Sequence, residues 1–437
     1  MAEPNQLFYQ DGEEPPRAVL VGLCIDEEPE ETEKSLAELE SLLETAGGEC
    51  VVKVVQTKAH PDPRTCIGSG KVAEVAYWCR EYEAGLVIFD LELSPAQIRN
   101  LEDAIGDDVR VIDRSMLILD IFALHAVTGE GKLQVELAQL KYTAPRLIGK
   151  GTELSRLGGG IGTRGPGESK LEIDRRHLKR RVAALEAELE SLDRTRRTMR
   201  AARDRSQTPK VAIVGYTNAG KSTLFNYLTD AGILAENKLF ATLDPTTRKL
   251  TLPDGSTVLL TDTVGFIRKL PHHLIRAFRS TLDEVVYADV LILLVDASDP
   301  EHQAQLETTQ NLLEELGAAE KPTLCVYNKC DLGANRSFRA IGTVAPNRRT
   351  VSISAQTGQG VDLLLAELQN LLQDGKRRVT FHIPNAEAGA LNRLYQNAVV
   401  EKIDYGADAI EVVATVDAKT YGMLRAYDPN WKEPTDE

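Results

Sequence analysis

The fold of this chain is decided by the stretch Lys210-Val-Ala-Ile-Val-Gly-Tyr-Thr-Asn-Ala-Gly-Lys-Ser-Thr-Leu-Phe225. Its opening segment, Lys210–Val214, is largely apolar and β-branched, which predicts a buried strand. Gly215–Ser222 then fits the pattern G-x-x-x-x-G-K-[ST], and Ser222–Thr229 has helical character. A strand, a glycine turn and a helix in this order are typical of a phosphate-binding loop.

The residue types in this loop suit phosphate chemistry. Glycines let the backbone turn so that successive N–H groups and a helix N-terminus face phosphate oxygens. Lys221 can reach the outer phosphates, and the Ser222 hydroxyl can hold Mg²⁺. We therefore predict nucleotide contacts along the whole loop: Gly215, Tyr216, Thr217, Asn218, Ala219, Gly220, Lys221 and Ser222.

A polar stretch without a helical pattern, Phe240–Thr247, follows the loop. A threonine there could reach Mg²⁺ and the terminal phosphate, and we favour Thr242, with Thr246 or Thr247 as alternatives. The competing interpretation is a hydrogen-bonded turn. The predicted nucleotide contacts in this stretch are Phe240, Ala241, Thr242, Leu243 and Asp244.

A second acidic position comes after the strand Thr257–Leu260, in the sequence Asp262-Thr-Val-Gly265. A carboxylate at the end of a buried strand suits Mg²⁺, here through water, and the Gly265 N–H could contact the terminal phosphate. The predicted metal set is Ser222, Thr242 and Asp262. No catalytic residue is certain, but Lys221, Thr242 and Gly265 would support phosphoryl transfer, and Asp262, Thr263, Val264 and Gly265 would lie at the nucleotide.

The base is predicted to be guanine. Asn328-Lys-Cys-Asp331 fits N-K-x-D, in which the aspartate accepts from the guanine ring N–H and amine, a donor pair that adenine lacks. Ser354-Ala-Gln356 supplies the last base-side loop. The predicted base contacts are Asn328, Lys329, Cys330, Asp331, Ser354, Ala355 and Gln356, with GTP as substrate, GDP as product and Mg²⁺ as cofactor. A kinase or an ATPase would not need such a reader.

Charge is unevenly distributed along the chain. The 437 residues carry a net charge of −15, which argues against a general nucleic-acid coat and against DNA. However, residues 141–210 contain 18 Lys+Arg against 9 Asp+Glu. Six scattered cysteines without a C-x-x-C pair favour a reducing cytoplasm. We expect a cytoplasmic monomer without a membrane span or a signal peptide, and leave peripheral membrane contact open.

The basic segment surrounds an unusual glycine-rich stretch, 149–167, which holds eight glycines in 19 residues. It also carries Lys150, Arg156 and Arg164, and Arg175 and Arg176 follow. Close backbone approach and interleaved cations suit an RNA phosphate surface, whereas a flexible linker would explain only the glycines. Long helices on both sides, Met116–Tyr142 and Leu171–Arg205, are expected to pack as an antiparallel hairpin.

The chain as a whole is predicted to be α/β. Alternating strands and helices between Ala18 and Ile112 predict a parallel sheet covered by helices. Residues 376–437 indicate a small α+β domain, with strands Arg378–His382 and Ala409–Val416 around a helix at Ala388–Val399. The predicted divisions are a disordered tail at 1–16, an N-terminal domain at 17–114, the hairpin at 115–206, a P-loop GTPase domain at 207–375 and the C-terminal domain at 376–437.

These motifs resemble the HflX family of ribosome-associated GTPases. The resemblance covers nearly the whole chain, and its most particular part is the run Gly158-Gly-Gly-Ile-Gly-Thr-Arg-Gly-Pro-Gly-Glu-Ser-Lys-Leu-Glu-Ile-Asp-Arg-Arg176. It implies a GTPase that binds the large ribosomal subunit, with the hairpin loop near the peptidyl-transferase region, and that helps to split or rescue stalled ribosomes under stress such as heat. An RNA-binding or RNA-remodelling protein gated by nucleotide and independent of the ribosome is the alternative.

Phe266 limits the expected mechanism. It follows Asp262-Thr-Val-Gly265, where many GTPases carry a water-orienting glutamine. A phenylalanine cannot hydrogen-bond water, so we expect slow basal hydrolysis that a partner accelerates. The resemblance agrees, since hydrophobic residues are usual at this position in HflX proteins.

Overall fold

The computed structural model describes most of the chain as three successive sheets with their helices. The described residues are 15–25, 28–106, 108–147, 170–204, 208–230, 232, 239–240, 242–271, 274, 279–332, 342–345, 348–373, 377–387, 389–406, 408–416 and 418–430. The predictions for residues 1–14 of the tail, for the glycine-rich stretch 149–167 and for Ala241 lie outside this set.

The first sheet is parallel throughout, as the alternating pattern predicts, with strand order β2-β1-β3-β4. Short connections and three covering helices account for the parallel arrangement. The elements are β1 (Arg17–Cys24), α1 (Pro29–Thr45), β2 (Glu49–Thr57), α2 (Ser69–Glu81), β3 (Leu86–Phe89), α3 (Pro95–Ile105) and β4 (Arg110–Asp113).

Three helices follow, where the sequence predicted two. The predicted helix Met116–Tyr142 is divided into α4 (Arg114–His125) and α5 (Gly129–Leu147), and α6 spans Lys170–Asp204. The break has a local cause, because the Thr128 hydroxyl accepts a hydrogen bond from the Gly131 N–H at 2.9 Å and so begins a new helix. Helices α5 and α6 are antiparallel, joined by the ion pairs Glu130–Arg196, Glu136–Arg181 and Lys141–Glu186.

The second sheet has seven strands in the order β10-β11-β9-β8-β5-β7-β6. Strand β5 lies inside the sheet and is hydrogen-bonded on both sides, to β7 and β8. The phosphate-binding loop therefore follows an interior strand. The elements are β5 (Lys210–Gly215), α7 (Lys221–Thr229), β6 (Thr246–Thr251), β7 (Thr257–Asp262), α8 (Arg279–Tyr287), β8 (Val290–Asp296), α9 (His302–Glu315), β9 (Thr323–Asn328), β10 (Gly342–Ala345), β11 (Arg348–Ser352) and α10 (Val361–Gln373).

The two faces of this second sheet bury different cores. Along β5, Val211 and Ile213 belong to a core within the domain, whereas Ala212 and Val214 belong to a cluster that also holds Leu36 and other residues of α1 and α4. Successive strand residues point to opposite faces. One face of the nucleotide domain therefore shares a continuous hydrophobic core with the N-terminal domain.

The third sheet is antiparallel, with strand order β12-β14-β13. The predicted helix Ala388–Val399 is shorter, and a strand that the sequence did not predict follows it at once. Strand β13 exposes most of its side chains, so it lacks the alternating apolar pattern that marks a half-buried strand. The elements are β12 (Arg377–Pro384), α11 (Gly389–Asn397), β13 (Ala398–Tyr405), β14 (Ala409–Val416) and α12 (Ala418–Leu424).

Candidate nucleotide site

The phosphate-binding loop has the shape that its glycines permit. Gly215 and Gly220 have φ angles of 154° and 93°. A Cβ at Gly215 would lie 2.3 Å from the Leu294 carbonyl oxygen, and one at Gly220 would lie 2.3 Å from Asn328 Nδ2. Both positions therefore require glycine, and the loop leads directly into α7 at Lys221.

Lys221 is buried beneath this loop. Its ammonium donates to the carbonyl oxygens of Tyr216 at 2.7 Å and Gly215 at 3.2 Å. Burial lowers the pKa of Lys221 to about 8, and the nearby Asp262 carboxylate opposes the shift. The charge is thus held in place by backbone carbonyls, where phosphate oxygens could complete its coordination.

Three side-chain oxygens converge at the phosphate-binding loop. Ser222 Oγ lies 2.8 Å from Thr242 Oγ1 and donates to Asp262 Oδ2 at 2.7 Å. Mg²⁺ takes octahedral oxygen ligands at about 2.0–2.1 Å, so adjacent ligands lie about 3 Å apart. The Ser222–Thr242 separation is close to that spacing. Asp262 Oδ1 is buried and has no hydrogen-bond partner within the described part of the chain, and burial raises the pKa of this carboxyl.

These oxygens fit a magnesium ion, which Ser222 and Thr242 could ligate directly and Asp262 could reach through water. Neither alternative to Thr242 has a hydrogen bond to Ser222 within the described residues, although Thr246 lies opposite Asp262 in the β6–β7 pair. Thr246 and Thr247 are part of β6, and Thr247 Oγ1 pairs with Thr261 Oγ1 at 2.9 Å.

The segment after Asp262 packs closely on the phosphate-binding loop. The Thr263 hydroxyl donates to the Ile213 carbonyl at 2.6 Å, and Val264 is buried. A Cβ on Gly265 would lie 2.8 Å from Thr217 Cγ2 and 2.9 Å from Lys221 Nζ. Only glycine fits there without displacing the loop, which leaves the Gly265 backbone beside the Lys221 ammonium.

Phe266 continues the contact between this segment and the loop. Its N–H donates to the Gly215 carbonyl at 3.1 Å, and its carbonyl accepts from the Thr217 N–H at 2.7 Å. The aromatic ring is fully buried in the core shared with the N-terminal domain. The side chain therefore has neither the chemistry nor the position to orient an attacking water.

The predicted base-reading residues come together at the ends of β9 and β11. Asn328 Nδ2 donates to the Ala219 carbonyl at 2.9 Å, and Asn328 Oδ1 accepts from the Ala355 N–H at 2.9 Å. Lys329 pairs with Asp296 at 2.7 Å. Asn328 thus fixes both the phosphate-binding loop and the last base-side loop.

The remaining residues predicted to contact the base lie at the same ends of β9 and β11. The Cys330 N–H donates to the Ile353 carbonyl, and Ser354 accepts on its hydroxyl from the Thr357 N–H. Ser354 and Ala355 are buried, whereas Asp331 and Gln356 are exposed. The Asp331 carboxylate is therefore accessible to an incoming base.

The comparisons with known proteins give one consistent family. Three family profiles match in succession: a GTP-binding GTPase N-terminal region at residues 33–123, a GTP-binding GTPase middle region at 125–203, and a 50S ribosome-binding GTPase at 210–329. GTPase HflX from Lacrimispora saccharolytica is 49% identical over 409 residues, covering 93% of this chain and 95% of its own. The chain belongs to the HflX GTPases.

A second HflX GTPase matches over a similar length. GTPase HflX from Escherichia coli K12 is 43% identical and covers 90% of this chain and 91% of its own. Among solved structures, the GDP complex of SsGBP is 28% identical, covers 82% of this chain and 99% of its own, and has a TM-score of 0.47. The predicted family is confirmed by the relatives, and the predicted α/β class with a P-loop GTPase domain is confirmed.

Several residues predicted at the nucleotide of this HflX family member direct their side chains elsewhere. Phe240 is buried edge-to-face against Phe122, with ring centroids 4.8 Å apart. Leu243 is buried in the shared core, and the Asp244 carboxylate faces the start of α5. Their side chains thus contact the N-terminal half, which leaves the backbone for any nucleotide contact.

The predicted RNA-binding residues fall on the hairpin of this HflX GTPase or beyond the described residues. Arg175 and Arg176 lie in α6, and Arg176 is exposed. Lys150, Arg156 and Arg164 lie outside the described residues. None of the described helices has the length and apolar character needed to cross a membrane.

Sequence reasoning missed the residues of the N-terminal domain that touch the nucleotide domain. The guanidinium of Arg114, which is 2% exposed, pairs with Glu38 and with Asp90, and it donates to the Arg268 carbonyl at 3.2 Å. Lys269 also pairs with Asp90, at 2.9 Å. No local motif identifies these residues, because each partner comes from a distant part of the sequence.

Proposed function

We propose that this HflX GTPase hydrolyses GTP with Mg²⁺ in the cytoplasm, as a monomer, and that it couples this cycle to the large ribosomal subunit. In this proposal, GTP binding and hydrolysis drive the splitting or rescue of ribosomes under stress. The family membership supports a GTPase of the translation-associated kind. The profile that matches residues 210–329 represents 50S ribosome-binding GTPases, which supports the choice of partner.

One observation carries the ribosomal part of the proposal. The basic glycine-rich stretch 149–167 lies between α5 and α6, and α5 begins next to Asp244, two residues after the proposed magnesium ligand Thr242. Cations among glycines suit phosphate backbones, which ribosomal RNA supplies in abundance. A single hairpin could therefore connect an RNA surface to the nucleotide site.

The chain's own residues account for binding better than for fast hydrolysis. Lys221 would neutralise phosphate charge, and the Gly265 N–H would meet the terminal phosphate. When bound, Mg²⁺ would neutralise charge that develops on the phosphate oxygens. The Phe266 ring is buried and has no group that could orient water. A partner that orders the segments around the nucleotide would therefore accelerate a slow basal rate.

The test measures steady-state GTP hydrolysis with and without purified large ribosomal subunits. We expect stimulation of the parent chain, and a loss of most of that stimulation when Gly149–Gly167 is replaced by a short glycine-serine bridge. Basal GTP binding should persist in the deletion variant, because the replaced stretch is separate from the nucleotide loop in sequence. Ribosome binding should also depend less steeply on salt, since phosphate contacts release counterions.

A charge-matched comparison separates RNA contact from simple linkage. The triple variant Lys150→Ala, Arg156→Ala, Arg164→Ala is set against Arg80→Ala, Arg378→Ala, Lys402→Ala, which removes three exposed cations elsewhere. Only the first should reduce ribosome affinity strongly. Equal loss in both would indicate a net-charge effect. RNA binding without any ribosomal stimulation of the parent chain would favour the alternative, a nucleotide-gated RNA-binding protein.

A further inference from the structure

The carboxylate of Asp244 lies at the N-terminus of α5. Its Oδ2 accepts hydrogen bonds from the backbone N–H groups of Val127 and Thr128, at 2.9 Å and 2.8 Å. Its Oδ1 accepts from the Thr128 hydroxyl at 2.6 Å. One carboxylate of the nucleotide domain thus accepts three hydrogen bonds from two residues more than 100 positions earlier in the chain.

The neighbouring glycine leaves room for this carboxylate. A Cβ at Gly131 would lie 2.4 Å from Asp244 Oδ1. The Gly131 N–H in turn donates to the Thr128 hydroxyl, the same group that donates to Asp244. Since a carboxylate at a helix N-terminus is favoured by the helix dipole, hydrogen bonding and electrostatics act in the same direction.

The two residues before Asp244 connect this contact to the metal site. Leu243 is buried, and the Thr242 hydroxyl lies 2.8 Å from Ser222 Oγ. On the other side, Phe240 packs against Phe122 of α4. The segment that carries Thr242 is therefore held by α4 at Phe240 and by the start of α5 at Asp244. The contact between Thr242 and Ser222, another proposed metal ligand, lies between these two positions.

We propose that Asp244 is a positioning residue that holds Thr242 at the magnesium site by binding the N-terminus of α5. The same contact makes the first helix of the hairpin responsive to the nucleotide. When Mg²⁺-GTP draws Thr242 inward, Asp244 is fixed and the first turn of α5 is stabilised. When only GDP is bound, Thr242 is no longer required, and the turn is released. This inference rests on the proposed use of Thr242 as a magnesium ligand.

The test uses the full chain without ribosomes. The affinities for a non-hydrolysable GTP analogue and for GDP are measured with Mg²⁺ in excess, for the parent, Asp244→Ala, Thr128→Val, their double variant and Thr242→Ala. Asp254→Ala is the matched control, because Asp254 lies in the exposed turn between β6 and β7 and likewise accepts hydrogen bonds from a backbone N–H and a hydroxyl, those of Ser256.

We expect Asp244→Ala to weaken binding of the GTP analogue about tenfold, the scale of losing hydrogen bonds to a charged acceptor, and to change GDP affinity by less than about twofold. Thr128→Val, which keeps the side-chain shape, should show a smaller loss in the same direction. The double variant should resemble Asp244→Ala, since both substitutions break one contact. Hydrogen exchange of residues 129–135 should slow with the analogue relative to GDP in the parent, but not in Asp244→Ala.

The outcomes separate this inference from the function on which it rests. If Thr242→Ala leaves analogue affinity unchanged, the proposed metal ligand is wrong. If Thr242→Ala weakens analogue binding but Asp244→Ala and Thr128→Val do not, the positioning inference alone is overturned. Equal losses of analogue and GDP affinity in Asp244→Ala would also overturn it, because that result indicates a general structural defect.

Discussion

The phenol of Tyr216, in the phosphate-binding loop, donates a hydrogen bond to the Glu38 carboxylate on α1 of the N-terminal domain. The same phenol oxygen accepts from the Arg268 N–H at 2.7 Å. Glu38 also pairs with the buried Arg114. The phosphate-binding loop, the segment after Phe266 and the N-terminal domain are therefore joined through one largely buried set of polar groups.

This relationship predicts the effect of Glu38→Gln on stability. Glutamine can still accept from Tyr216, but it leaves the Arg114 charge with Asp90 as its remaining carboxylate partner. Because a buried charge that loses a partner is costly, we expect a loss of about 2 kcal/mol in unfolding free energy, measured by urea denaturation of the full chain.

The matched control for this variant is Glu31→Gln on the same helix. Glu31 pairs with Lys34 and Arg268, but its side chain is 46% exposed. Solvent screens such pairs, so the loss should stay below about 0.5 kcal/mol. Equal effects of the two substitutions would contradict a special role for the buried network.

Base selectivity should depend on Asp331. The substitution Asp331→Asn removes the carboxylate that we expect to accept from the guanine ring N–H and amine. GTP affinity should fall by about 2–4 kcal/mol, the scale for truncating a charged hydrogen-bond partner. Xanthosine triphosphate should bind the variant better than GTP does, because its C2 carbonyl can accept from the new amide. Titration with fluorescent analogues measures both, and unchanged GTP affinity would refute the assignment of the base reader.

The affinity for nucleotide should fall as the pH rises, because Lys221 loses its proton. The pKa of this lysine in the free protein is about 8, lowered from 10.5 chiefly by burial. Bound phosphates favour the charged form and raise the pKa in the complex, so affinity is fully present below pH 8 and is lost as pH rises above it. Between pH 7 and 8.5 we expect a decrease of about fourfold in GTP affinity, measured by titration at constant ionic strength.

Circular dichroism over the same pH range provides the control for this experiment, since the fold should not change. The upper limit of pH 8.5 keeps the guanine ring itself protonated. A constant affinity over this range would show that Lys221 stays fully charged in the free protein.

The buried position of Phe266 predicts a variant that changes stability but not chemistry. Phe266→Leu keeps an apolar side chain in the shared core and leaves the backbone bonds to Gly215 and Thr217 in place. We expect basal GTP turnover within about twofold of the parent, with a loss of about 1 kcal/mol in stability. A tenfold fall in turnover, with GTP affinity and fold retained, would indicate a direct part for this ring in hydrolysis.

Local sequence alone determined much of the nucleotide site. The order of strand, glycine turn and helix at Lys210–Thr229 predicts a phosphate-binding loop, because Gly215 and Gly220 combine a positive φ with a neighbour that a Cβ would strike. N-K-x-D at Asn328–Asp331 likewise predicts a base reader at the end of a strand. Parallel pairing in the first sheet followed from alternating strands and helices. These features depend on residues close together in the chain, so their spacing is sufficient to predict them.

Only the tertiary structure decided the contacts between residues that lie far apart in the chain. The sequence left three threonines as candidates, and the structure shows that the Thr242 hydroxyl reaches Ser222, 20 residues earlier. The contact of Asp244 with Thr128 joins positions 116 residues apart. Arg114 looks like an ordinary charged residue in sequence, yet it is 2% exposed and pairs with two carboxylates, one on α1 and one directly after β3. Such contacts arise when two domains share a core, and no local periodicity encodes which surfaces meet.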